Sequence, residues 1–73
     1  MKPEEIDNVF SYHAPQLGQP ERYEAIREAA KKLAHVIVAR TPPGDDQAVA
    51  VRKLRECVMT ANAAIALEPP EVR

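Results

Sequence analysis

Three aromatic residues occur in the chain, Phe10, Tyr12 and Tyr23, and two of them fall within the six residues FSYHAP, where His13 follows Tyr12 and Pro15 ends the run. A ring at the end of a short helix, next to a polar side chain and a chain break, is placed to stack on a nucleobase, a contact worth roughly 1–3 kcal/mol. The plainer reading is a tyrosine that packs with its hydroxyl wet. A second group, Arg27, Lys31 and Lys32, puts positive charge in the middle of the next segment. Glu28 lies four residues before Lys32 and offers it a helical pair. Arg27 and Lys31 are also four apart, so as like charges on one face they repel unless an anion relieves them. Taken alone the cations read first as a solvated face, with a grip on a small phosphate ligand as the alternative. Asn62, in the run ANAAIA, follows Val58 by four and lies at the edge of an apolar seam. A polar residue there fixes helix register or reaches a ligand.

Other chemistries have less support. His13 and His35 are the two histidines, and neither belongs to a HExxH motif or a His–Cys pair at ligand spacing. A metal site would have to be assembled across copies of the chain, and a surface or hydrogen-bonded role explains both residues more simply. The single cysteine, Cys57, excludes an internal disulfide, and its apolar helical surroundings suggest a buried, inert thiol. Ser11 has no nucleophile motif around it. Glu4/Glu5 and Asp45/Asp46 are paired carboxylates, but each pair sits where a helix N-terminus favours negative charge. The expectation is a binding protein rather than an enzyme, without a cofactor. A formal net charge of −1 argues against binding DNA or RNA polymers, which requires a basic surface.

The elements that must position these residues are helices separated by proline-rich breaks. Pro3 opens the first, expected over 3–12, with Ile6, Val9 and Phe10 on one face. It is too short to persist alone and must dock on something, with Phe10 as its anchor and Tyr12 left free on another face. The break HAPQLGQ follows. A second helix, expected over 20–40, carries a seam of Tyr23, Ile26, Ala30, Leu33 and Ile37 at spacings of three and four. Its apolar face widens into HVIVA, which predicts a second buried surface. TPPG ends it. The third helix, expected over 45–67, repeats the spacing with Val51, Leu54, Val58, Ala61 and Ile65, and Pro69 and Pro70 stop it before a tail at 68–73. The short connection makes these two helices an antiparallel hairpin.

The fold class expected is therefore all-α, in one domain: a short helix followed by a long antiparallel hairpin. Seventy-three residues without disulfides or metal bury little apolar area, a core worth ~3–5 kcal/mol, so self-association is expected. No apolar run is long enough to cross a bilayer, and MKPEEIDNVF is acidic where a secretory signal would be basic. A cytoplasmic location is expected.

Taken together, DNVFSYHAP, QPERYEAIREAAKKLA, the Pro-Pro break and LRECVMTANAAIA resemble the phage anti-CBASS cyclic-oligonucleotide sponges, over about residues 7 to 66. The resemblance implies a compact helical homohexamer that sequesters the cyclic nucleotide messengers of bacterial immunity, cGAMP-like cyclic dinucleotides among them, without cleaving them, in the host bacterial cytoplasm. It implies that Tyr12 stacks on a base and that Arg27 meets a phosphate where the family carries lysine. The arginine keeps the charge and adds a bidentate fork. His13 and Lys31 stand beside these two. The family's second site takes cyclic trinucleotides, with an arginine just after the run ANAAIA. Here Leu67 and Glu68 occupy that place, and a carboxylate beside a phosphate repels it, which leaves Asn62 and its neighbours to line such a site. The alternative is a structural or protein-interaction hairpin with no nucleotide ligand.

Overall fold

A computed structural model describes residues 1–69. Its elements are α1 (Pro3–Val9), α2 (Gln19–Arg40) and α3 (Asp45–Ala66), with no strand among the described residues. At 22 residues each, α2 and α3 are about 33 Å long. They pack against one another as a hairpin, with the start of α2 beside the end of α3. The expected tail at 68–73 is described only as far as Pro69, and residues 70–73 lie outside the described residues.

α1 stops at Val9, three residues before the expected end at Tyr12, because its last carbonyls find other partners. Phe10 N–H makes the last helical bond, to the Ile6 carbonyl; beyond it the Ser11 hydroxyl donates to the Asp7 carbonyl and His13 Nε2–H to the Asn8 carbonyl at 2.6 Å. Side chains thereby cap groups that a longer helix would satisfy with its own amides. Nor does Phe10 anchor the helix. It is 84% exposed, Ile6 and Val9 are each about half exposed, and α1 packs on neither long helix.

The hairpin is closed at each end by a glutamine. At the open end Gln19, 2% exposed, donates from Nε2 to the Ile65 carbonyl at 2.9 Å and to Glu68 Oε1 at 3.1 Å. Its Oε1 accepts from Gln16 N–H at 2.9 Å. At the turn end Gln47 Nε2 donates to the carbonyls of Val38 and Thr41. Both side chains thus supply donors to carbonyls that a terminating helix leaves unpaired. Gly18, at φ +84°, brings the chain into α2 through the left-handed region, where a side chain meets its own backbone.

Along the interface α2 contributes Tyr23, Ile26, Ala30, Ala34 and Ile37, and α3 contributes Ala50, Val51, Leu54, Val58, Ala61 and Ile65. Leu33, expected in the α2 seam, is exposed and Ala34 takes its place. The α2 stripe steps by 3, 4, 4 and 3 residues, while the α3 stripe keeps the 3, 4, 3, 4 spacing from Val51 to Ile65. Among the described residues only Ile65, at 5% exposure, is a fully buried apolar side chain. The second buried surface expected at HVIVA is absent within the protomer, since Val36 and Val38 remain half exposed. Two helices have one line of contact, and HVIVA extends beyond it. The radius of gyration, 15.8 Å, exceeds the roughly 11 Å of a compact chain of this length. No helix among the described residues is long and apolar enough to cross a membrane.

Replacing Gln19 by alanine removes the acceptor for Gln16 N–H and a donor to Ile65 in a buried setting. We expect a loss of about 1–3 kcal/mol in urea unfolding at fixed protein concentration. An unchanged midpoint would mean that this end of the hairpin is held by packing alone.

Candidate ligand-binding site

The site residues expected from the sequence divide into two groups. Tyr12 lies on the connection between α1 and α2, with its ring 86% exposed. His13 beside it is half-buried and committed to the Asn8 carbonyl, so it fixes the path of the chain on which Tyr12 sits. Arg27 and Lys31 stand one turn apart on α2, both exposed. Neither forms an ion pair among the described residues, and the expected Glu28–Lys32 pair is not formed.

Arg27 and Lys31 line an open groove of about 360 Å³ that runs between α2 and α3. Its floor is apolar, built from Ala30 and Ala34 on one side and Val51, Leu54 and Val58 on the other. Small alanines on α2 make the depression, because no long side chain fills the space above the seam. Arg55 completes the rim from α3, so cations stand on both walls and, among the described residues, no carboxylate lines the groove. Tyr12 and Asn62 are not part of this lining. Asn62 instead sits half-buried on α3 with its side-chain oxygen buried and without a hydrogen-bond partner.

Arg55 was not legible as a site residue. Its signal is the spacing from Val51, four residues earlier, which puts it on the groove side of α3, but only pairing of the two helices shows which α2 residues it faces. Cys57, expected to be buried, is exposed. The seam steps from Leu54 to Val58, and Cys57 falls beside that step.

At the open end of the hairpin Arg22 pairs with Glu68 at 2.5 Å. The Gln19 amide hydrogen bond, and then the Arg22 guanidinium, hold the Glu68 carboxyl below its ordinary value. Glu68 is therefore a fixed negative charge where α3 ends.

The chain matches the family described as Acb2/Tad1, hairpin domain, over residues 2–66. The described residues form the helical hairpin that this description names. The chain belongs to the Acb2/Tad1 hairpin family, the anti-CBASS cyclic-oligonucleotide sponges, whose members bind rather than transform their ligands. No curated protein and no solved structure matches it. Family membership fits a role in sequestering cyclic oligonucleotides.

The lowered carboxyl of Glu68 makes a pH-dependent contribution to stability. Its folded value lies below its unfolded one, so the contribution is fully present above the ordinary carboxylate value of 4.5 and is lost as pH falls through the lowered folded value. Denaturation at pH 7 and at pH 3 should therefore show a larger gap between wild type and Glu68→Gln at pH 7. Equal gaps at both pH values would contradict the assignment.

Proposed function

We propose that the protein binds cyclic dinucleotide second messengers, cGAMP-like molecules among them, and holds them intact. It would thereby blunt CBASS anti-phage immunity from within the host bacterial cytoplasm. The observation that carries this reading is the pairing, within a sponge-family chain, of a fully presented ring with cations that no carboxylate neutralises. Tyr12 has no packing role that explains its exposure, and Arg27 and Lys31 are free to meet a phosphate. His13 acts through the chain path, not as a ligand contact.

A cyclic dinucleotide carries two bases and two phosphates in near two-fold symmetry. An interface between copies of the chain, in a homohexamer or a smaller assembly, offers two of each residue. Two stacks and two charge-assisted contacts at about 1–3 kcal/mol each sum to roughly 4–12 kcal/mol. Micromolar to nanomolar affinity needs about 8–12 kcal/mol, so the pair reaches that range only with good geometry and further contacts such as Lys31. At the end of α3 the charge on Glu68 disfavours a phosphate. A trinucleotide site there would have to rely on Asn62, whose unpartnered oxygen accepts hydrogen bonds but offers a phosphate no charge.

Calorimetric titration with a panel of cyclic dinucleotides tests this directly. Tyr12→Ala and Arg27→Glu should each weaken binding by at least about tenfold, or about 1.4 kcal/mol, with the assembly intact. Arg27→Lys should retain it. No heat from any member of the panel, on folded protein, rejects the proposal.

A further inference from the structure

The segment that carries Tyr12 has no apolar anchor on its own hairpin. Phe10, Tyr12 and Leu17 are all exposed, and α1 packs on neither long helix. Apart from the chain itself, what joins this segment to the hairpin among the described residues is polar. Gln16 N–H donates to Gln19 Oε1 at 2.9 Å, and Gln19 N–H donates to the Gln16 carbonyl at 3.1 Å. Gly18, in the left-handed region between them, folds the chain back so that these two residues meet. Gln16 Nε2 also reaches the Glu68 carbonyl at 3.4 Å, across 52 residues of sequence. Glu68 is thus a hub: its carbonyl accepts from Gln16, and its carboxylate accepts from Gln19 and Arg22. The buried Gln19 amide has one usable orientation. Reversing it would turn its oxygen toward the Ile65 carbonyl and the Glu68 carboxylate, which are both acceptors.

We propose that Gln16, Gln19 and Glu68 form a latch that holds the Tyr12 segment against the end of α3, and that they are positioning residues for the ring. What the ring then does rests on the ligand reading above. The hold passes from Gln16 back to Tyr12 through a short, stiff stretch. Pro15 locks its own φ and keeps Ala14 out of the helical region. His13, next to Tyr12, is tied on the other side to the Asn8 carbonyl. Only Ala14 and Pro15 therefore separate the two tied residues. None of the latch residues need touch a ligand. A ring held at a fixed place gives up less conformational freedom when it stacks, so loosening the latch lowers affinity through Tyr12 and through no other contact.

Amide NMR relaxation of the ligand-free protein reads the latch by itself. The amides of residues 12–18 should be nearly as rigid as α2, with order parameters of about 0.85, and Gln19→Ala should drop them below about 0.6 while α2 and α3 hold. Should Gln19→Ala unfold, Gln16→Ala removes only the tie to the Glu68 carbonyl and should loosen the same amides. A segment already loose in the wild type, or one unmoved in the folded variant, overturns the proposal. Calorimetric titration with cyclic dinucleotides then reads the ring. The folded variant should lose at least about threefold in affinity. That loss should persist in an Arg27→Lys background and vanish in a Tyr12→Ala background, because a residue that acts through the ring has nothing left to position. An equal loss in the Tyr12→Ala background would show that the latch supports the fold alone, and would overturn the positioning role. A wild type that binds no cyclic dinucleotide rejects the ligand reading, and the relaxation measurement still decides the latch.

Discussion

Two antiparallel helices can bury only the line along which they touch. That constraint governs this protein. Its hairpin fully buries a single apolar side chain, Ile65, and leaves Leu33, Val36, Val38 and Met59 about half exposed. The short α1 adds Ile6, Val9 and Phe10 to the unburied surface. A core so thin gives little hydrophobic stabilisation to set against the entropy of ordering the chain. The polar clamps at the two ends of the hairpin set its alignment, but they add direction more than energy. The apolar surface left over is what a second copy has available to cover.

The same thinness fits the proposed binding role. Because α2 and α3 meet along alanines as well as larger residues, a groove remains above the seam, and cations can rim it without being buried. Arg27, Lys31 and Arg55 keep their hydration and their charge, so little desolvation cost is spent before a partner arrives. Tyr12 is held out on a chain segment whose path is set by the His13–Asn8 hydrogen bond. A ring already placed loses less freedom on stacking than one on a loose tail. Glu68 is held by Arg22 and Gln19 at the open end of the hairpin, where the Tyr12 segment joins α2.

Much of the architecture was legible because its signals are local. Prolines at positions 3, 20, 42, 43 and 69 punctuate the helices, and the spacing of Val51, Leu54, Val58 and Ile65 marks the buried face of α3. Features that depend on tertiary detail were not. The end of α1 depends on Ser11 and His13 turning back onto carbonyls, which helix propensity does not encode. The roles of Gln19 and Gln47 arise only once the helices pair. Leu33 was a stronger apolar candidate than Ala34, yet the paired helices leave Leu33 exposed and half-bury the alanine. Within the candidate site, Arg27 and Lys31 could be associated by their four-residue spacing, whereas Arg55 needed the opposite helix to be in place.

Sequestration by a site completed between copies is the central claim. Native mass spectrometry of the protein with a cyclic dinucleotide tests it most directly, followed by release and weighing of the ligand. The account predicts ligand on the assembled form alone and recovery of the ligand at its original mass. Ligand carried by an isolated protomer, or recovered as a linear hydrolysis product, would contradict it.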